Sequence, residues 1–155
     1  MNIDRLTIWL VAAGDGEHHY AFQCLAHGLV LMGPGKLGAW PDCERPLLDT
    51  GWTPNKMAIL RTFCETMQGG DIVVLHVGSR VYGVGELKGP YLWDPKFSIV
   101  QGWDLQHTRP VCWRWKGYEK PRAFQATTFG RGATVRRLTS PAVLDWLEAL
   151  EPNVD

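Results

Sequence analysis

The chain has 155 residues, 45% hydrophobic and 21% charged, with a formal net charge of zero, the profile of one globular domain that can bury a core without disulfides or metal. No apolar run approaches the roughly 18 residues needed to cross a bilayer, and the start Met1-Asn2-Ile3-Asp4-Arg5 has no basic stretch leading into an apolar one, so a soluble cytoplasmic protein is expected. Cys24, Cys43, Cys64 and Cys112 form no C-x-x-C pair and have no zinc-type histidine spacing; they read as reduced thiols, with no metal or cofactor implied.

Residues 6–13 are a compact apolar run closed by Gly14-Asp15-Gly16, which reads as a buried strand at the centre of a sheet. Residues 18–27 fit a short helix imperfectly, and residues 29–32 read as a second strand. Gly33-Pro34-Gly35-Lys36-Leu37-Gly38 is a loop that delivers Trp40 to its end. The clearest helix spans residues 54–68, with Thr53 as N-cap, Pro54 at the first position, Gly69 as the stop, and Met57, Leu60, Phe63, Cys64 and Met67 as its apolar face. Residues 72–77 and 81–87, joined by Gly78-Ser79, read as an antiparallel hairpin. Residues 89–102 are loop-rich, hold Trp93 and end just before Trp103. A strand follows over 111–115, and another over 124–135 is broken by Gly130 and Gly132. The chain closes in a helix with Ser140 as N-cap, Pro141 at its start and Val143, Leu144, Leu147 and Leu150 as its stripe. The expected fold class is α+β, a mixed, mostly antiparallel barrel or strongly curved sheet with flanking helices, in a single domain over residues 1–155.

The neutral total hides an uneven distribution. Residues 1–108 carry eight Lys/Arg against eleven Asp/Glu, whereas residues 109–137 carry eight Lys/Arg against Glu119 alone. That basic block, interleaved with Trp113, Trp115, Tyr118, Phe124 and Phe129, fits either a solvated face or a surface that tracks phosphate. Of the eight tryptophans, Trp9 and Trp146 read as core. Trp40, Trp93 and Trp103 each follow or sit in a Gly- or Pro-rich loop, where a ring can face a cavity at a barrel mouth and stack on a base.

In the order Ile8-Trp9-Leu10-Val11, Gly38-Ala39-Trp40, Gly70-Asp71-Ile72-Val73-Val74-Leu75, Tyr82-Gly83-Val84-Gly85-Glu86-Leu87, Trp93, the stretch Trp103 to Trp113 and Phe129-Gly130-Arg131-Gly132, the chain resembles EVE and YTH-like domains of the PUA superfamily. Within that superfamily it is most similar to the EVE-like N-terminal domains of McrB-type modification-dependent restriction proteins. The resemblance implies a PUA-like barrel that reads a modified base, methylated DNA above all, in an aromatic cage of Trp40, Trp93 and Trp103. It implies a partner in a restriction motor or nuclease subunit, and a phosphate contact from the Gly130-Arg131 pair. Where YTH domains place an asparagine after the first strand, this chain has Gly14-Asp15. Asp15 and Gln106 are candidates for the base edge. Lys36, Arg109, Arg114 and Arg131 are candidates for phosphate.

No G-x-G-x-x-G opens a helix, and there is no G-K-[ST] loop, H-E-x-x-H, G-x-S-x-G or carboxylate-rich nuclease pattern, so a non-enzymatic binding domain is expected. Two alternatives stand beside it. One is an RNA- or nucleoside-processing enzyme of the ASCH type, with His107 and Glu86 as acid and base. The other is a protein-interaction domain whose aromatic surface meets a peptide.

Overall fold

The structure, a computed structural model, describes residues 6–125, 129, 134–150 and 153. In chain order its elements are β1 (Ile8–Ala12), α1 (Ala21–His27), β2 (Leu29–Met32), α2 (Glu44–Asp49), α3 (Pro54–Arg61), β3 (Ile72–Val77), β4 (Arg80–Leu87), β5 (Leu92–Trp93), β6 (His107–Lys116), β7 (Arg122–Ala123), β8 (Val135–Leu138) and α4 (Pro141–Glu148). The strands form one curled sheet in the order β2-β6-β4-β3-β1-β8, with β5 added beside β6 and β7 beside β4. β1 and β3 are parallel, with Ile8 opposite Ile72, and the other pairings are antiparallel. The expected α+β class and mostly antiparallel curved sheet are what the chain forms. Among the described residues no helix is long and apolar enough to cross a membrane.

β1 is apolar along its whole length because both of its faces are covered. Trp9 and Val11 join one buried cluster, which includes α1, α3 and Trp113, while Ile8 and Leu10 join another with Phe129, Trp115 and α4. Gly83 and Gly85 in β4 make room for an indole: a Cβ at either would lie 3.0 Å from Cε3 of Trp113. They serve packing, in line with the absence of a nucleotide motif.

The helix expected over 54–68 is α3 followed by a wider π-turn over Thr62–Thr66, and the chain is already extended at Met67, two residues before the anticipated glycine stop. Thr53 does cap it, its hydroxyl accepting from the Lys56 N–H at 3.2 Å. α2, with Pro46 inside it, had no sequence reading.

β6 is the larger surprise. The expected strand over 111–115 begins at His107, because Thr108 and Arg109 are polar yet buried and pair with β2, Met32 opposite His107 and Leu29 opposite Pro110. A bulge follows: Trp113 faces Gly85 and Trp115 faces Val84, so Arg114 is an extra residue and the two indoles enter opposite clusters. The strand anticipated over 124–135 is not one element; β7 stops at Ala123 and β8 starts at Val135.

Candidate functional site

β1 delivers the chain to a cavity of about 400 Å³ lined by Ala12, Gly14, Asp15, Tyr20, Met32, Gly33, Pro34, Trp103, Asp104, Leu105 and Thr134. Gly14 sits at φ +102° and a Cβ there would lie 2.5 Å from the His18 carbonyl oxygen, so the turn after β1 needs glycine. Asp15 closes that turn, its Oδ1 accepting from the backbone N–H of Glu17 at 3.0 Å and of His18 at 2.8 Å. On the opposite side, paired backbone bonds at 2.8 Å between Val100 and Trp103 form a tight turn whose central residues, Gln101 and Gly102, have positive φ. This turn presents Trp103. The His18 ring stacks on Trp103 at 5.9 Å with its Nε2 against the Gln101 carbonyl, and Tyr20 meets Trp103 edge-on at 5.8 Å. The Trp103 indole N–H is buried and has no acceptor among the described residues.

The Gly33–Gly35 loop forms the remaining wall and is held from below. Asp104 Oδ2 accepts from the Gly35 N–H at 3.2 Å and the Lys36 N–H at 3.3 Å, and Trp93 Nε1 donates to the Gly35 carbonyl at 2.7 Å. His107 is fully buried; its Nε2–H donates to the Pro34 carbonyl at 2.9 Å, which leaves Nδ1 to accept from the Tyr91 hydroxyl at 2.6 Å. Tyr91 in turn accepts from the Trp40 N–H at 3.0 Å. Burial lowers the His107 pKa, so the imidazole stays neutral and its two nitrogens keep these opposite roles.

Of the residues singled out for a base, Trp103 and Asp15 line this cavity. Gln106 is buried one residue past its wall, under Gly35, where a Cβ would lie 2.2 Å from Gln106 Oε1. Trp40 and Trp93 are not among the residues that line it. Trp40 is a core residue whose Nε1 donates to Glu65 at 2.8 Å, with the Arg61 guanidinium 5.7 Å from its ring. Trp93 braces the wall loop from outside. Tyr20, His18 and Asp104, none of them among the candidate site residues read from the sequence, take the positions beside Trp103.

Of the phosphate candidates, Lys36 is exposed on the wall loop. Arg109 is buried and donates to the Phe63 carbonyl at 2.8 Å and the Gly89 carbonyl at 3.3 Å, so it holds the π-turn and cannot meet a phosphate. Arg114 is exposed and pairs with Glu86 at 3.0 Å. Arg131 lies outside the described residues. Glu86 stands opposite Cys112, five residues along β6 from His107, so the acid–base pair of the enzyme alternative is not assembled.

A family model described as Domain of unknown function (DUF8426) matches residues 9–139. The chain belongs to this family. No curated protein matches it in sequence. The DUF8426 chain is similar in structure to the YTH domain of the Zygosaccharomyces rouxii MRB1 protein, whose crystal structure is a complex with N6-methyladenosine RNA. The TM-score is 0.54 at 12% identity, over 98% of this chain and 90% of that one. This chain therefore shares a YTH-like fold, the broader part of what the sequence resemblance implied.

Proposed function

We propose that this DUF8426 domain is a non-catalytic reader of a modified base, which leaves its strand and enters the cavity to stack on Trp103. The observation that carries the reading is an aromatic cavity at the end of β1, in a fold shared with a domain solved on N6-methyladenosine RNA. A volume of about 400 Å³ lies in the range of roughly 300–1,000 Å³ usual for small-ligand pockets. The cavity chemistry supports a base: among the described residues that line it the charged groups are Asp15 and Asp104, with no Lys or Arg. Their oxygens suit the amino edge of adenine or cytosine, which keeps one N–H after N-methylation, and an acceptor on the base would satisfy the Trp103 N–H. Lys36 stands on the wall loop for the neighbouring phosphate. The resemblance to McrB-type domains makes methylated DNA the first carrier to test and a restriction or defence effector the partner to seek.

The test is a fluorescence-polarisation titration of matched DNA and RNA oligonucleotides, unmodified or carrying N6-methyladenine or 5-methylcytosine, against the parent and Trp103→Ala. Stacking on one ring contributes about 1–3 kcal/mol. Trp103→Ala should therefore lose about 5- to 150-fold in affinity for the modified strand and lose the preference itself. Equal binding of all strands by parent and variant refutes the reading.

A further inference from the structure

The loop that borders the cavity turns alternate side chains in two directions. His18 and Tyr20 meet Trp103, while His19, between them, meets a second group of rings outside the cavity. His19 packs edge-on to Phe22 at 5.3 Å and tilts against Tyr82 at 5.2 Å, and Phe22 continues to Tyr118 at 5.7 Å. Phe22 is 43% exposed and Tyr118 40%, so both rings present a face to solvent. Tyr118 lies on a second, open cavity of about 570 Å³, which it shares with Lys116, Lys120 and Arg122 against one acid, Glu119, among the described residues. Among the described residues none of these three cations has an ion-pair partner.

A row of exposed rings beginning at the rim of a base-sized cavity and ending among unpaired cations has the two components of a single-strand track, stacking faces for bases and positive charge for the backbone. We propose that Phe22 and Tyr118 stack the bases adjoining the one held in the cavity, with Lys116, Lys120 and Arg122 on their phosphates, so that the partner is a single strand of nucleic acid. A peptide without acidic side chains would suit the rings but would leave the cations unmatched, whereas every nucleotide brings its own phosphate. The inference rests on the cavity reading for where the strand begins. Its chemistry is separate, because the rings read no modification.

Three probes separate the two sites: a labelled ten-nucleotide single strand with a central N6-methyladenine, the same strand unmodified, and free N6-methyladenosine. Phe22→Ser and Tyr118→Ser should each weaken both strands about fivefold or more. The ratio between the strands and the affinity for the free nucleoside should not change. Lys120→Ser and Arg122→Ser should each flatten the slope of log affinity against log salt by about 0.7. Unchanged strand affinity in both ring variants overturns the track and leaves the patch to a peptide. A parallel fall in nucleoside affinity also overturns it, since the rings would then only shape the cavity. If the parent shows no preference for the modified strand but the ring variants still lose affinity, the cavity reading fails and the track stands. A parent that binds neither strand removes both.

Discussion

His107 offers a test that needs no ligand. Its imidazole is fully buried between the Pro34 carbonyl and the Tyr91 hydroxyl and must stay neutral to accept from one while donating to the other. In the unfolded chain it titrates near about 6.5. In the folded protein burial holds it lower. Below 6.5 the unfolded state therefore takes up a proton that the folded state refuses: stability is complete above that value and falls as the pH drops toward the folded one. The folded imidazole resists that protonation, so the loss between pH 7.5 and 5.5 is on the order of 1 kcal/mol. His76, also lowered by burial, adds a loss of the same sign. Urea unfolding of the parent and His107→Gln at both pH values isolates the His107 part, because His76 titrates in both proteins. The parent should lose about 1 kcal/mol more than the variant on acidification. Equal losses would refute the neutral seat and with it the account of what holds the cavity wall.

Three further expectations follow from the packing. In Gly33→Ala the new Cβ would stand 2.1 Å from the Asp104 carbonyl oxygen, so the wall loop must move; a loss of about 1–3 kcal/mol in urea unfolding is expected, together with loss of any base preference in polarisation. Trp40→Ala should destabilise by about 3–5 kcal/mol in the same unfolding assay, since it empties a core position and strips Glu65 of its donor. A stable Trp40→Ala protein that no longer discriminates bases would instead return Trp40 to the binding site. Native thiol alkylation followed by peptide mass spectrometry should modify Cys112 first, because Cys24, Cys43 and Cys64 are buried and burial pushes the Cys24 thiol up to about 12.

The parts of the fold legible in the sequence are those where one apolar pattern meets one environment. Residues 29–32 and 72–77 form strands over the expected spans, and the unbroken run over 6–13 marks β1 as covered on both faces. The first half of β6 was hidden because His107, Thr108 and Arg109 are polar, and only the partners at Pro34, Leu92 and Phe63 make their burial tolerable. The site divides along the same line. Trp103 was anticipated from its place after a glycine-rich loop and Asp15 from the family resemblance, and both line the cavity. A loop tryptophan, however, does not disclose where its N–H will find an acceptor, and Glu65 and the Gly35 carbonyl draw Trp40 and Trp93 away from the cavity. Tyr20 and His18 gain their meaning from Trp103, more than eighty positions further along the chain, a proximity that local pattern cannot carry.

The bulge at Arg114 makes β6 depend on register in a way it does not depend on the identity of the bulged residue. The Arg114 side chain is exposed and can be exchanged at little consequence, but a ladder that paired straight through it without the bulge would turn Trp115 and everything after it toward the face that Trp113 already fills. A strand of this kind can change many of its letters and still keep its register, and a shared backbone course at 12% identity asks for no more than that.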